Sequence, residues 1–166
     1  IKEYNESSGR RRHPMRAVQT KRFNYIFNPW AAGGRKFQAA GQGTLSYREM
    51  VALAETDPAT AKLLQQYDYR VVEEFFDIEK DPDNLNNLID NPEYKDEIAA
   101  HRAMLGDFME KTNDPVFAAV RKREDTSYLD GFVEAQQAEA FRRRRVTQER
   151  NPNSNRTNSR EWNQNR

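Results

Sequence analysis

Residues 73–82 read Glu-Glu-Phe-Phe-Asp-Ile-Glu-Lys-Asp-Pro, and Asn-Asn-Leu follows at 86–88. The paired phenylalanines predict a β-strand, because aromatic residues favour strands and the flanking carboxylates are costly to bury. Asp81 before Pro82 predicts a turn, because proline holds the preceding residue in extended or turn conformations. Leu85 and Leu88 stand three residues apart and predict a short helical turn. This stretch therefore predicts a strand, an acidic turn and a short helix in succession.

The residues upstream predict a β-hairpin and two helices. Residues 17–20 and 23–27 alternate with a period of two around a Lys-Arg turn, so Phe23, Tyr25 and Phe27 share one face. Residues 1–14 and the glycine-rich stretch 29–43 are expected to be loops. Capping-box spacing from Ser46 starts one helix, and Asp57 before a proline caps a second.

The residues downstream predict a long amphipathic helix over 92–112, which begins at an Asn-Pro pair and ends at Asp-Pro. Its apolar face is expected to pack on the sheet through Ile98, Leu105 and Phe108, with His101 inside the same face. Residues 116–120 fit either a helix or a strand. A helix with a thin apolar face is predicted over 130–148, and the polar residues from 151 onward are predicted to be disordered.

Composition narrows the class of protein. The 166 residues are 36% hydrophobic and 32% charged, and there is no cysteine, which excludes disulfides, thiolate metal sites and a cysteine nucleophile in this chain. No apolar run approaches the roughly 20 residues of a membrane span, and residues 1–4 show no apolar core of a signal peptide. The chain begins at Ile1 rather than methionine, so we expect it to be a piece of a longer polypeptide.

Four segments, taken in order, resemble one known family. They are residues 14–26 (Pro-Met-Arg-Ala-Val-Gln-Thr-Lys-Arg-Phe-Asn-Tyr-Ile), 70–77 (Arg-Val-Val-Glu-Glu-Phe-Phe-Asp), 87–88 (Asn-Leu) and 112–115 (Thr-Asn-Asp-Pro). They resemble the C-terminal subdomain of type I sulfatases, and are most similar to the heparan N-sulfatase (sulfoglucosamine sulfohydrolase) group. We call them the sulfatase-like segments; the resemblance covers roughly residues 3–117.

The resemblance implies an α+β fold, in which a small antiparallel sheet of about four strands carries a packed helix. It divides the chain into a sulfatase C-terminal subdomain at 1–117, a helical extension at 118–150 and a disordered polar tail at 151–166. In the family this subdomain packs against a large alkaline-phosphatase-like domain that contains the catalytic residues.

The catalytic parts of the family are missing from this chain. The family's nucleophile is a formylglycine made within a Cys/Ser-x-Pro-x-Arg motif, and no such motif occurs here. Formylglycine and calcium are therefore expected in an N-terminal catalytic domain of the same polypeptide, and this piece alone is expected to be inactive. The resemblance implies a parent enzyme that hydrolyses sulfate esters or sulfamates of sulfated sugars, with a periplasmic or secreted location suspected.

The resemblance points to three candidate substrate-binding residues, which are Asn5, Glu6 and Arg16, and to no catalytic or metal-binding residue. In the family, the loop before the hairpin lies at the mouth of the active-site pocket and carries a His-Glu pair; Asn5 stands here in place of the histidine. The Glu6 carboxylate would accept hydrogen bonds from sugar hydroxyls or an amine, unless it is a solvated loop acid. Arg16 would attract a sulfated glycan, or would pair structurally with an acid of the neighbouring domain.

Other features admit a second interpretation. Residues 142–166 carry eight arginines against two glutamates, which suits a non-catalytic interaction module whose basic tail binds anionic polymers. Aromatic residues for base stacking are lacking there apart from Trp162, so nucleic acid is not expected as a partner. A membrane is not expected as a partner either, because no apolar run is long enough to span one. The two histidines, His13 and His101, are too far apart in sequence to suggest a metal site. An exposed apolar patch for docking on the catalytic domain is expected from Phe27, Pro29, Trp30 and Phe37.

Overall fold

A computed structural model describes residues 3–5, 12–38 and 40–150. The fold is α+β, as the sequence predicts, and five strands form two separate groups. The strands are β1 (Glu3–Asn5), β2 (Arg12–Pro14), β3 (Arg16–Gln19), β4 (Phe23–Phe27) and β5 (Glu73–Asp77). Strands β3, β4 and β5 form an antiparallel sheet in that order, and β1 pairs with β2 in an antiparallel ladder of its own. The expected sheet of about four strands is thus a sheet of three among the described residues.

Five α-helices accompany the strands in the described part of the chain. They are α1 (Leu45–Leu53), α2 (Pro58–Asp68), α3 (Lys95–Lys111), α4 (Phe117–Arg121) and α5 (Thr126–Arg150). Short 3-10 helices form at Pro29–Gly34, Ala40–Gly43 and Pro92–Tyr94. No helix within these described ranges is both long and apolar enough to cross a membrane.

The predicted hairpin is confirmed, and its alternating side chains build the core. Val18 lies opposite Tyr25 in the β3–β4 pair, and Tyr25 lies opposite Phe75 in the β4–β5 pair. Tyr25, Phe27 and Phe75 are completely buried, because their shared face is covered by α3. The period of two in the sequence therefore placed the correct face inward.

Helix α3 packs on the sheet as predicted, but the helix is rotated slightly from the predicted face. Ile98, His101, Leu105 and Met109 are buried, whereas Phe108 is 51% exposed. The contact that we expected from Phe108 is wrong, because the buried stripe continues from Leu105 by four residues rather than three. The Nδ1 of His101 donates to the carbonyl of Glu97 at 2.7 Å, which makes this histidine a hydrogen-bonded core residue.

The first four residues of the glycine-rich stretch, 29–32, are part of the core, which corrects two expectations. Trp30 lies in the 3-10 helix Pro29–Gly34 and is completely buried against Val133 of α5. Phe27 and Pro29 are also buried and Phe37 is half-buried, so the exposed patch predicted from these residues does not exist. The apolar area that a buried tryptophan removes from water is large enough to offset the backbone freedom of the glycines in the same segment.

Three local predictions are also corrected. Residues 84–88 form no helix, because Asn87 and Leu88 bond instead to the edge of β5. Helix α1 is capped by the hydroxyl of Thr44, which accepts from the amide of Tyr47, rather than by Ser46. Residues 1–14, predicted to be a loop, contain β1 and β2. The Asp57 cap of α2 is confirmed.

The C-terminal helices join the body of the fold. The sequence of residues 116–120 fits either a helix or a strand. In the structure these residues contribute to α4, where Ala119 and Val120 are buried. Leu129, Val133 and Ala140 of α5 are buried, and Leu129 belongs to the same core cluster as Tyr25. The predicted tail at 151–166 lies outside the described residues, and the predicted division at 117/118 stays a prediction.

Candidate functional site

Two of the three candidate substrate-binding residues, Asn5 and Arg16, lie in strands that the structure describes. Asn5 is the last residue of β1 and pairs with Arg12 across the β1–β2 ladder. Glu6, which follows it, lies outside the described residues. Arg16 is the first residue of β3 and pairs with Phe27. Asn5 and Arg16 therefore lie in different sheets, and Arg16 is the one residue of the three whose side chain the structure describes.

Arg16 is held in a buried ion pair. Its Nε donates to Oδ2 of Asp114 at 2.7 Å and its Nη2 donates to Oδ1 at 2.9 Å, while Nη1 donates to the carbonyl of Met15. The side chains of Arg16 and Asp114 are only 3% and 1% exposed. Of the two interpretations of Arg16, the described contacts agree with the structural one, except that the acid belongs to this chain. Substrate contact by Arg16 stays a prediction.

Backbone groups at the end of α3 and just after it hold the Asp114 carboxylate in position for the ion pair with Arg16. Its backbone N–H donates to the carbonyl of Met109, and its Oδ1 also accepts from the amide of Val116 at 2.8 Å. Burial of the carboxyl opposes its ionisation, but the hydrogen bonds from Arg16 and Val116 outweigh that effect and hold the pKa of Asp114 below its ordinary value. The carboxylate is therefore charged at neutral pH and balances the guanidinium.

A second pair joins the hairpin turn to the end of β5. Nη2 and Nε of Arg22 donate to Oδ2 of Asp77 at 2.8 and 3.1 Å, and Asp77 is 1% exposed. The hydrogen bond from Arg22 is the main cause that lowers the pKa of Asp77. The amide of Ile78 donates to the carbonyl of Arg22, so side chains and backbone both fix this corner.

Asn87 closes the outer edge of β5. Its Oδ1 accepts from the amides of Phe75 and Ile89 at 2.8 and 3.1 Å, and its Nδ2 donates to the carbonyl of Glu73. The amide of Leu88 donates to the carbonyl of Phe75 at 2.7 Å. The Asn-Leu pair therefore replaces a neighbouring strand.

A polar cluster that the sequence did not reveal ties the helical insertion to the body. Asp68, at the end of α2, is buried and accepts from Nζ of Lys36 at 2.7 Å, from the hydroxyl of Tyr47 and from Nε2 of Gln42. The hydrogen bond to Asp68 is the main cause that raises the pKa of Lys36. The four residues come from separate elements, so no spacing rule connects them. Lys36, Gln42 and Tyr47 all contact the Asp68 carboxylate, which agrees with a structural role for the cluster.

The partly buried Glu73 and the buried Glu74 also have structural partners. Glu73 accepts from the hydroxyl of Tyr25 at 2.7 Å and from both Nε and Nη2 of Arg102. Glu74 accepts from Nδ2 of Asn28 and from Arg70, and burial raises its pKa. Each carboxylate therefore has hydrogen-bond and ion-pair partners within the fold, which agrees with a structural role.

One groove is large enough to accept another molecular segment. It has a volume of about 630 Å³ and runs between β3 and α3; its lining residues are 15–19, Met104, Leu105, Phe108 and Met109. Met104 and Phe108 are 42% and 51% exposed. We call this feature the β3–α3 groove. Its apolar lining suits a protein segment better than a sugar, which needs convergent polar groups.

The other features considered from the sequence are metal ligands, the histidines and the arginines of α5. Within the described residues no group of three or more histidine, aspartate and glutamate side chains is arranged to hold a metal ion. His13 is buried between the rings of Trp30 and Phe37. Arg142 and Arg143 are exposed and each pairs with Glu139 within α5. That pairing offsets part of the basic charge on which the anionic-polymer interpretation depends.

No known family model matches this chain, and no curated protein matches its sequence.

Proposed function

We propose that this chain is the C-terminal subdomain of a sulfatase of the heparan N-sulfatase type. The parent enzyme hydrolyses sulfate esters or sulfamates of sulfated sugars, and its formylglycine and calcium belong to an N-terminal catalytic domain. The ion pair between Arg16 and Asp114 carries the proposal. It joins the first and the last of the sulfatase-like segments through a buried contact between residues 98 positions apart.

The other sulfatase-like segments support the proposal in the same way. Arg22 of the first segment pairs with Asp77 of the second, and Asn87 of the third bonds to Phe75 and Glu73 of the second. A chance resemblance in short segments gives no reason for the resembling residues to contact each other. A family fold does, because such contacts hold its sheet and helix together.

The role that follows for this subdomain is to shape the rim of the active site. Asn5 is the last residue of β1 and Glu6 comes next in the chain, so we assign substrate contact to these two residues. A carboxylate at the rim binds sugar hydroxyls or an ammonium group, and it repels a sulfate. The rim therefore selects the sugar, while the catalytic domain performs the hydrolysis.

The test begins with the coding sequence upstream of Ile1. We expect a Cys/Ser-x-Pro-x-Arg motif there, and a parent protein that releases sulfate from N-sulfoglucosamine or a related sulfated sugar. The matched control replaces the Cys or Ser of the motif by alanine, which should abolish release. An upstream region without the motif, or a parent with the motif that releases no sulfate from any sulfated sugar or aryl sulfate, contradicts the proposal.

A further inference from the structure

The last turns of α5 extend beyond the part of the helix that packs on the core. Leu129, Val133 and Ala140 lie along one face of α5 and are buried. After Ala140 the helix continues to Arg150, a length of about 15 Å at the ordinary helical rise. Every residue of this stretch whose side chain the structure describes is exposed. We call residues 141–150 the arginine segment.

The arginine segment carries a net positive charge. Its sequence is Phe-Arg-Arg-Arg-Arg-Val-Thr-Gln-Glu-Arg, with five arginines and one glutamate. The side chains of Arg142, Arg143 and Arg145 are 70%, 72% and 78% exposed. Arg142 and Arg143 share the single carboxylate of Glu139, and Arg145 pairs with Glu149 at 3.6 Å. Because one carboxylate offsets only one charge, the segment stays positive when Glu139 is included.

The exposed arginines surround the helix axis and do not share one face. Successive residues of an α-helix are rotated by about 100°, so Arg142, Arg143 and Arg145 start in three different directions. Phe141 and Val146, the two apolar residues of the segment, are rotated by about 140° from each other. A helix that lies on a membrane surface needs its apolar residues on a common face. The segment therefore does not have the arrangement of a membrane-surface helix.

The chemistry of guanidinium groups indicates what the segment binds. Each group is permanently charged, only donates hydrogen bonds, and presents a planar fork that matches two oxygens of a sulfate, phosphate or carboxylate. A single exposed ion pair contributes little affinity. Several such pairs formed by one ligand add up, because the later ones form within the same complex. The segment therefore suits an extended polymer with repeated anionic groups better than a small anion.

The position of α5 favours one class of anionic polymer. Helix α5 packs against β2 as well as against the 3-10 helix that holds Trp30. Strand β2 pairs with β1, whose last residue is Asn5, one of the two residues to which we assign substrate contact. The arginine segment thus belongs to a helix that neighbours the proposed substrate rim. A polymer bound at the rim by one of its sugars brings further anionic sugars to the elements around that rim.

We propose that the arginine segment binds a sulfated polysaccharide at sugars other than the one that the parent enzyme hydrolyses. This inference rests on the proposed function and deepens it, because it identifies the substrate as a polymer and not a single sulfated sugar. The sulfates and carboxylates of the polymer accept hydrogen bonds from Arg142, Arg143 and Arg145. The segment contributes affinity for the polymer and takes no part in the hydrolysis.

Binding of the 166-residue chain to heparin, a sulfated polysaccharide, tests the proposal. The affinity is measured by isothermal titration calorimetry at about 0.15 M salt, where distant charges are screened. Replacing Arg142, Arg143 and Arg145 together by glutamine should weaken the affinity at least about tenfold, because each exposed ion pair contributes up to about fivefold. A chain that does not bind heparin under these conditions overturns the proposal.

The matched control is a triple variant that removes the same charge from other helices. Arg48, Lys62 and Lys95 are exposed in α1, α2 and α3 and are replaced together by glutamine. This variant should change the affinity for heparin by less than about threefold, because the screening length is only about 8 Å at this salt concentration. Equal weakening by the two triple variants shows that binding depends on the total charge of the chain, and it overturns the proposal.

A variant that strengthens binding gives an independent test, since misfolding does not increase affinity. Glu139→Gln removes the carboxylate that offsets Arg142 and Arg143. It should tighten heparin binding by about two- to fivefold. Glu110→Gln, at an exposed position of α3, removes the same charge and should leave the affinity unchanged. If Glu139→Gln and Glu110→Gln have the same affinity for heparin, the arginine segment is not the binding site.

Two comparisons identify a different partner or separate this inference from the proposed function. Duplex DNA that binds more tightly than heparin at the same salt concentration, and is lost in the triple arginine variant, identifies nucleic acid as the partner and overturns the proposal. Heparin binding that depends on the arginine segment, combined with an upstream region that lacks the sulfatase motif, supports the polysaccharide site and rejects the sulfatase. A parent that releases sulfate, combined with heparin binding that the arginine variant does not weaken, supports the sulfatase and overturns this inference.

Discussion

Replacing Asp114 by asparagine should be among the most destabilising single changes in this chain. The substitution keeps the size of the side chain but leaves the guanidinium of Arg16, which is 3% exposed, without a counter-charge. Two hydrogen bonds of 2.7 and 2.9 Å lose their charge assistance, and an amide nitrogen comes to face a donor. Breaking a buried pair by removing one partner costs about 3–5 kcal/mol of unfolding free energy.

Urea denaturation measures this loss, and the buried Trp30 is a suitable fluorescent reporter. With a urea slope of about 2 kcal/mol per molar, the midpoint should fall by about 1.5–2.5 M. The corresponding fall in the thermal midpoint is about 6–20 °C for a chain of this size. Glu139→Gln is the matched control, because Glu139 pairs with two arginines on the exposed surface of α5. Its midpoint should be unchanged.

The pH dependence provides a second measurement on the same variant. The pKa of Asp114 is lower in the folded chain than in the unfolded chain. Its stabilising contribution is therefore complete above the unfolded value of about 3.9 and is lost as the pH falls toward the folded value. Asp114→Asn should reduce the loss of stability below pH 4. The burial of this pair would be refuted if the urea midpoint of Asp114→Asn fell by less than a loss of about 1 kcal/mol in unfolding free energy produces, and if the loss of stability below pH 4 were unchanged.

Three further predictions concern the core, the sheet edge and the substrate rim. Leu105→Ala should cost about 2–5 kcal/mol of unfolding free energy. Phe108→Ala should cost clearly less, because Phe108 is half exposed. Equal losses of the two variants in urea titrations would contradict the orientation of α3. Asn87→Ala should cost about 1–3 kcal/mol by leaving the amide of Phe75 unpaired, and faster exchange of that amide is the specific readout. In the parent enzyme, Glu6→Gln should lower kcat/KM for a sulfated amino sugar about ten- to a hundredfold and leave kcat/KM for an aryl sulfate nearly unchanged. Equal losses on both substrates would make Glu6 a structural residue. The 166-residue chain alone should hydrolyse neither substrate.

The candidate site is determined less completely than the fold. Asn5 and Glu6 come from the resemblance of neighbouring segments, and no described side chain tests their role. For Arg16 the sequence left two interpretations open, because a basic residue at the start of a strand serves either an anion or an acid. Only the structure identifies Asp114 as its partner, since 98 residues separate the two and no spacing rule reaches that far.

Local patterns in the sequence determined the elements of this protein. The period of two in 23–27 set the buried face of the hairpin, and Asp57 and Asn91, each before a proline, marked helix starts, because these signals act within a few residues. Tertiary packing decided the rest. Trp30 is buried in a glycine-rich stretch that local rules assign to a loop, and Asn87 leaves a predicted helical turn to close the edge of β5. In both cases contacts from distant parts of the chain outweigh a weak local preference, because burying a large aromatic surface or satisfying a strand edge is worth more than one helical turn.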